Sequence, residues 1–284
     1  MIIFLAMPPS GCNEKSSRSS ETTALVGDLE MYYEVRGQGV PLLMIMGLGG
    51  HTLDWGWVLP QELEKRYRII MFDNRGAGRS QQPTGPYSIA QMARDTAGLM
   101  DRLGLEKANV FGVSMGGMIA QQLAIDQPQR VMKLVLGCTS PGRQDRILAP
   151  QEIQQYLEPR KDLDLYDALW WAAPAGMPPE FIRDHPEIVV RKNRANMQHP
   201  SSLEAYEAQL AAFRNFSAEG RISAIRAETL VLAGSRDVLI PPENSRMIAE
   251  QISGAVRREI HGAGHLFWIS HPQETLSILS EFFG

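Results

Sequence analysis

The stretch GVSMGG (112–117) stands between an apolar run, ANVF (108–111), and a segment of helical character, MGGMIAQQLAIDQP (115–128), that Pro128 stops. One hydroxyl among so many small residues has two readings. In the first, Ser114 is only a helix cap in a tight turn, a place where serine is favoured. In the second, G-x-S-x-G between a strand and a helix is a strained turn that lifts the serine Oγ clear of a sheet. A Cβ at Gly112 or Gly116 would then collide with the adjoining strand or helix. The positive end of the helix starting at Met115 would favour negative charge developing beside Ser114. The motif decides nothing by itself, because a serine hydroxyl is a poor nucleophile without a base.

The rest of the chain sets the context. PLLMIM (41–46), RIIMF (68–72), ANVFGV (108–113), VMKLVLG (131–137), ETLVLAG (228–234) and AVRREI (255–260) are short runs bounded by turn signals. Such runs read as strands of a parallel sheet, mostly buried. Between them, IAQMARDTAGLMDRLG (89–104) sets Ile89, Met92, Ala93, Thr96, Leu99, Met100 and Leu103 at helical spacing, and SRMIAEQIS (245–253) and QETLSILSEFF (273–283) read as further helices. Alternating strands and helices predict a parallel sheet covered on both faces. TALVGDLEMYYEVRG (23–37) alternates around Gly27-Asp28 and reads as a β-hairpin. Residues 141–222 break the rhythm: rich in helix formers, with Trp170-Trp171 and PAGMPPEF (174–181), they hold no convincing buried strand. The expected organisation is a leader over 1–22, a core from 23–140 and 223–284, and a helical cap over 141–222.

Composition excludes several classes. The 284 residues carry a net charge of −4 and no polybasic stripe, so no nucleic-acid partner is expected. Two cysteines, Cys12 and Cys138, make no disulfide framework, and HExxH or paired CxxC metal motifs are missing. A dinucleotide loop starting at Gly47 would need glycine where Thr52 stands, and GAGRSQ (76–81) fails in the same way at Gln81. No cofactor is expected. The opening MIIFLAM is too short to span a bilayer and lacks the basic start of a signal peptide. PSGCNEKSSRSSET (9–22) places a small residue before Cys12 and a serine-rich tail after it, as in a bacterial lipoprotein tether, with Pro9 where such sites favour leucine. The leader is read as disordered or as such a tether. The location that follows is cytoplasmic, with lipid anchoring or export through Cys12 as the alternative.

Ser114 needs a base, and the six histidines are His51, His185, His199, His261, His265 and His271. His265, in the glycine-rich HGAGHLFW (261–268) after the last strand, is placed to reach across the top of the sheet. A base needs an acid to fix its tautomer. Asp237, in GSRD (234–237), stands just past the strand ETLVLAG. Ser114, Asp237 and His265 thus fall at the carboxyl ends of three separate strands, the edge where open α/β sheets build their sites. For the oxyanion, one donor is expected from the backbone N–H of Met115 and a second from MGLGG (46–50), with Leu48 the choice.

With these residues assembled, the chain resembles the α/β-hydrolases, in the group that holds carboxylesterases, enol-lactonases and cofactor-free haloperoxidases. The resemblance covers residues 23–284 and rests on MGLGG, DNRGAGRS (73–80), GVSMGG, GSRDVLIPPENS and GAGHLFWISHP in that order. It implies an eight-stranded, mostly parallel sheet with a helical cap at about 141–222, a Ser114–Asp237–His265 triad, and structural roles for Asp73 and Arg75 near the oxyanion loop. Met46 stands where many relatives carry histidine, which alters the support of that loop. The implied substrate is a small-molecule apolar ester or lactone, and Arg143, Arg146 and Lys161 leave an acidic substrate open. Trp268, Trp170 and Trp171 are the pocket candidates, while Trp55, Trp57, Met177 and Phe267 are read mainly as packing between cap and core. Two other readings stay open: a carbon–carbon hydrolase or perhydrolase with the same triad, and a ligand sensor with slow turnover.

Overall fold

Successive residues of a strand point to opposite faces, and this chain uses both faces of every central strand. In the computed structural model, which describes residues 20–142 and 146–284, Leu43 and Ile45 join one hydrophobic cluster while Leu42 and Met44 join the other. Ile70 and Phe72 divide from Ile69 and Met71 in the same way. A strand buried on both sides has no need of polar alternation, which is why these segments read as continuous apolar runs.

The strands are β1 (Ser20–Val26), β2 (Leu29–Arg36), β3 (Val40–Ile45), β4 (Tyr67–Phe72), β5 (Ala108–Val113), β6 (Val131–Gly137), β7 (Glu228–Gly234) and β8 (Val256–Ile260). They form one eight-stranded sheet in the order β1-β2-β4-β3-β5-β6-β7-β8. β1 pairs antiparallel with β2, and β2 with β4; the remaining pairs are parallel. β1 starts at Ser20, three residues before the Thr23 expected from the alternation, because Ser20 to Thr22 continue its register opposite Val35 to Tyr33. Residues 1–19, with Cys12, and Arg143 lie outside the described residues.

Helices α1 (Val58–Leu63), α2 (Ile89–Arg102) and α3 (Met115–Asp126) follow the early strands. Residues 146–222 contribute α4 (Gln151–Gln154), α5 (Leu165–Gly176), α6 (Pro179–Asp184), α7 (Pro186–Asn196) and α8 (Leu203–Asn215) and no strand. The chain closes with α9 (Glu243–Gln251), α10 (Phe267–Ser270) and α11 (Pro272–Phe283). Met92, Leu99, Met118, Ile119 and Ile248 from α2, α3 and α9 fill one layer; Leu59, Leu63, Leu279 and Phe283 from α1 and α11 fill the other. Each fully buried side chain of this kind contributes about 1.5–3 kcal/mol.

The helical insertion leaves and rejoins the core at one point. Gly142 and Ser217 form an isolated antiparallel bridge, and Ala218 N–H donates to Pro141 O at 2.8 Å. Leu266 N–H reaches Gly176 O at 2.8 Å, tying the end of α5 to the segment after β8. Among the described residues no helix is long and apolar enough to cross a membrane.

Candidate active site

The turn after β5 carries Ser114 at φ 57° and ψ −124°, a conformation that side chains rarely adopt. It is held from several sides. Ser114 N–H donates to Gly137 O at 2.9 Å, while Ser114 O accepts from Gly117 N–H at 2.9 Å and from Thr139 Oγ1 at 2.7 Å. The small neighbours are required by distance. A Cβ on Gly112 would lie 2.3 Å from Gly116 O, and one on Gly116 would lie 2.1 Å from Ile45 O. The helix and the two strands can approach this closely only without those atoms.

Across the same edge, Asp237 lies three residues past β7 and His265 five residues past β8. His265 Nδ1 and Asp237 Oδ2 are 2.8 Å apart and both residues are buried. The other carboxylate oxygen accepts the backbone N–H groups of Leu239 and Ile240 at 2.9 and 2.8 Å, so the acid cannot swing away from the imidazole. Burial opposes a charged imidazole, but the Asp237 carboxylate and the neighbouring Cys138 together hold His265 well above the ordinary histidine value. Such a pair favours the tautomer that keeps the proton on Nδ1, leaving Nε2 free to accept one.

Ser114 and His265 line one cavity of about 530 Å³, shared with Leu48, Trp171 and Trp268. Its size suits a small or medium ligand. Met115 N–H, at the start of α3, and Leu48 N–H have no acceptor among the described residues. The loop that carries Leu48 is pinned by its neighbours. Asn74 Nδ2 donates to Met46 O at 2.9 Å, and Gly49 N–H donates to Gln209 Oε1 at 2.8 Å. Gln209 is buried on α8 and also donates from Nε2 to Arg75 O at 2.6 Å. Asp73 accepts from Thr52 N–H and Arg79 N–H, and Arg75 forks onto Asp95 at 2.8 and 2.9 Å.

The pocket candidates separate. Trp171 and Trp268 line the cavity, and Trp268 Nε1 donates to Asp54 O at 2.9 Å. Trp170 does not line it; it packs against the apolar layer and Tyr166. Helix α5 turns Ala168, Leu169, Trp171, Ala172 and Ala175 toward the cavity, and Trp170, about 100° round from Trp171, falls outside that face. Trp55, Met177 and Phe267 are buried in the core, and Arg191 covers the Trp57 ring. His51 is spent on Leu53 N–H and Asn196 O, and burial keeps His271 below the ordinary histidine value. Lys161 pairs with Glu207 at 3.1 Å, and Arg146 stacks over the Phe213 ring.

A profile of the family described as alpha/beta hydrolase fold matches residues 40–272. The chain belongs to this family. It is 31% identical to the candidate carbamate hydrolase RutD of Azorhizobium caulinodans, over 91% of this chain and 96% of that one. It is 33% identical to a poly(3-hydroxyalkanoate) depolymerase of Ectopseudomonas oleovorans, over 85% and 83%. The crystal structure of an enol-lactonase from Burkholderia xenovorans superposes with a TM-score of 0.82 at 24% identity, covering 92% of this chain and 99% of that one, a likeness of fold. The chain is a hydrolase of the α/β fold.

Two features of this α/β-hydrolase escape a reading of its sequence. Cys138, at φ 39° directly after β6, is buried with its Sγ within 4.8 Å of ligating atoms of Asp237 and His265. Among the described residues this is the one group of three potential metal ligands, and two of the three already engage each other. Its position at the carboxyl end of β6 was the available signal. Gln209, which joins the oxyanion loop to the loop after β4, carried none, because its role depends on how α8 docks.

Proposed function

We propose that this chain is a serine hydrolase that cleaves a carboxylic ester or lactone through an acyl-enzyme on Ser114. One observation carries the reading: His265, paired with Asp237 at 2.8 Å, lines one cavity with the strained Ser114 and with Leu48, whose N–H, like that of Met115 next to the serine, has no acceptor among the described residues. Ser114 Oγ attacks the carbonyl carbon while His265 Nε2 takes its proton. Met115 and Leu48 N–H hold the oxyanion, a role in which one donor is worth about 3 kcal/mol of barrier. His265 returns the proton to the departing alkoxide, and the Ser114 acyl ester remains. Water then attacks that ester, His265 accepts its proton, and Ser114 leaves with it. The names of the carbamate-hydrolase and depolymerase relatives support cleavage beside a carbonyl.

The test is a p-nitrophenyl ester series, acetate to palmitate, with wild type and Ser114→Ala. Turnover of about 1 per second or faster that disappears in the variant is expected, with medium chains preferred for the cavity volume. An inert wild type, or one matched by Ser114→Ala, overturns the ester reading and moves lactones, carbon–carbon substrates and a sensing role ahead of it.

A further inference from the structure

The cavity shared by Ser114 and His265 is mainly apolar, with Leu157, Leu163, Leu169, Trp171 and Leu266 among its lining. One wall differs. Helix α7 turns Val189, Lys192, Asn193 and Asn196 inward at spacings of three and four, while Arg191 and Arg194 stay exposed. Lys192 and Asn196 line the cavity, and so does Ser201, just beyond the helix.

The charges around this wall are otherwise settled. Asp54 accepts from Asn196 Nδ2 at 3.0 and 3.1 Å and from His51 N–H at 3.0 Å. Glu158 pairs with Arg214, Arg160 with Asp162, and Lys161 with Glu207. Lys192 is half-buried and has no ion-pair partner among the described residues. Ser201, on the same lining, has a buried Oγ with no hydrogen-bond partner. An ammonium with no ion-pair partner and a hydroxyl with no acceptor, on one wall of a mainly apolar cavity, favour an anionic oxygen on the ligand.

We infer that the substrate carries a carboxylate, received by Lys192 and Ser201 while Ser114 attacks the ester or lactone carbonyl; this rests on the reading of the site as a serine hydrolase. The acid can belong to the acyl or to the leaving group. Two comparisons distinguish them: mono-p-nitrophenyl suberate against its methyl ester, and 4-carboxyphenyl octanoate against its methyl ester. The acid is expected to exceed its neutral partner in kcat/KM by about tenfold in one arm. Lys192→Met should erase that ratio and Lys192→Arg should retain most of it. Calorimetry on Ser114→Ala with monomethyl and dimethyl suberate, and with 4-carboxyphenyl octanoate and its methyl ester, reads the same preference without turnover. Turnover without an acid preference in either arm, or a ratio unchanged in Lys192→Met, overturns the inference and leaves the hydrolase reading intact. An acid preference in calorimetry with no turnover by wild type overturns ester cleavage and leaves the acid-binding wall standing.

Discussion

Gln209→Met tests whether a buried amide far along the chain sets the oxyanion loop. Gln209 spends both ends of its side chain, accepting from Gly49 N–H at 2.8 Å and donating to Arg75 O at 2.6 Å. Methionine keeps the volume, so no cavity opens, but one N–H and one carbonyl lose their partner. Each such loss costs about 1–3 kcal/mol, and about 2–4 kcal/mol is expected for the two together. For a chain of this size that lowers Tm by roughly 3–7 °C. The catalytic consequence is separate. Gly49 adjoins Leu48, whose N–H is the proposed second oxyanion donor, and outright loss of one donor costs about 10²–10³ in kcat. A loosened donor should cost between about tenfold and that ceiling, with KM nearly unchanged, because the lost interaction belongs to the transition state. The assay is p-nitrophenyl ester turnover at a temperature where circular dichroism shows the variant folded. Wild-type kcat in a folded Gln209→Met protein would refute the reasoning.

Three more outcomes are expected. Catalysis needs neutral His265, whose proton affinity is raised by Asp237, so the rate should climb with pH through a limb above 6.5. Asp237→Asn should move that limb to lower pH and cut the plateau by about 10⁴-fold; a pH–rate profile with an unmoved limb counts against the assignment. Gly116→Ala forces a Cβ to 2.1 Å from Ile45 O and 2.7 Å from Met46 O. Overpacking of this kind costs about 1–3 kcal/mol, seen as a lower Tm in a thermal melt, and an unchanged Tm would contradict the close approach. Cys138 is 1% exposed, and burial pushes its thiol up. In a Cys12→Ser background, maleimide mass-labelling should leave the native protein unmodified and label it only after denaturation; prompt native labelling would show that the site opens.

Much of the arrangement is legible in the amino-acid sequence. β3 to β7 are buried on both faces, so their apolar runs announce them without ambiguity. Ser114 and Asp237 each follow such a run and His265 follows the more polar β8, and the strand edge is a positional signal that needs no side-chain detail. What stayed hidden depends on helix phase or on distant packing. Choosing Trp171 over Trp170 requires the rotation of α5, which depends on where Asp164 caps it. Gln209 and Lys192 look like ordinary surface residues of amphipathic helices until α7 and α8 are docked. Cys138 looked like the end of an apolar strand, and only the three-dimensional neighbourhood of β6 and β7 sets its sulfur beside the acid and the base. Ser20 to Thr22 were too polar to announce β1.

The bridge between Gly142 and Ser217 brings the two ends of the helical insertion together, so the backbone leaves and rejoins the core at one doorway. A segment attached in this way can be swapped for another, or shortened, while the sheet beneath keeps its connections. New substrate preferences could therefore arise by exchanging one cassette. The exchange has a condition. Gln209 on the cassette clasps the loop of Leu48, so a transplanted piece that lacks an equivalent clasp would arrive with a new pocket and a slackened catalytic floor.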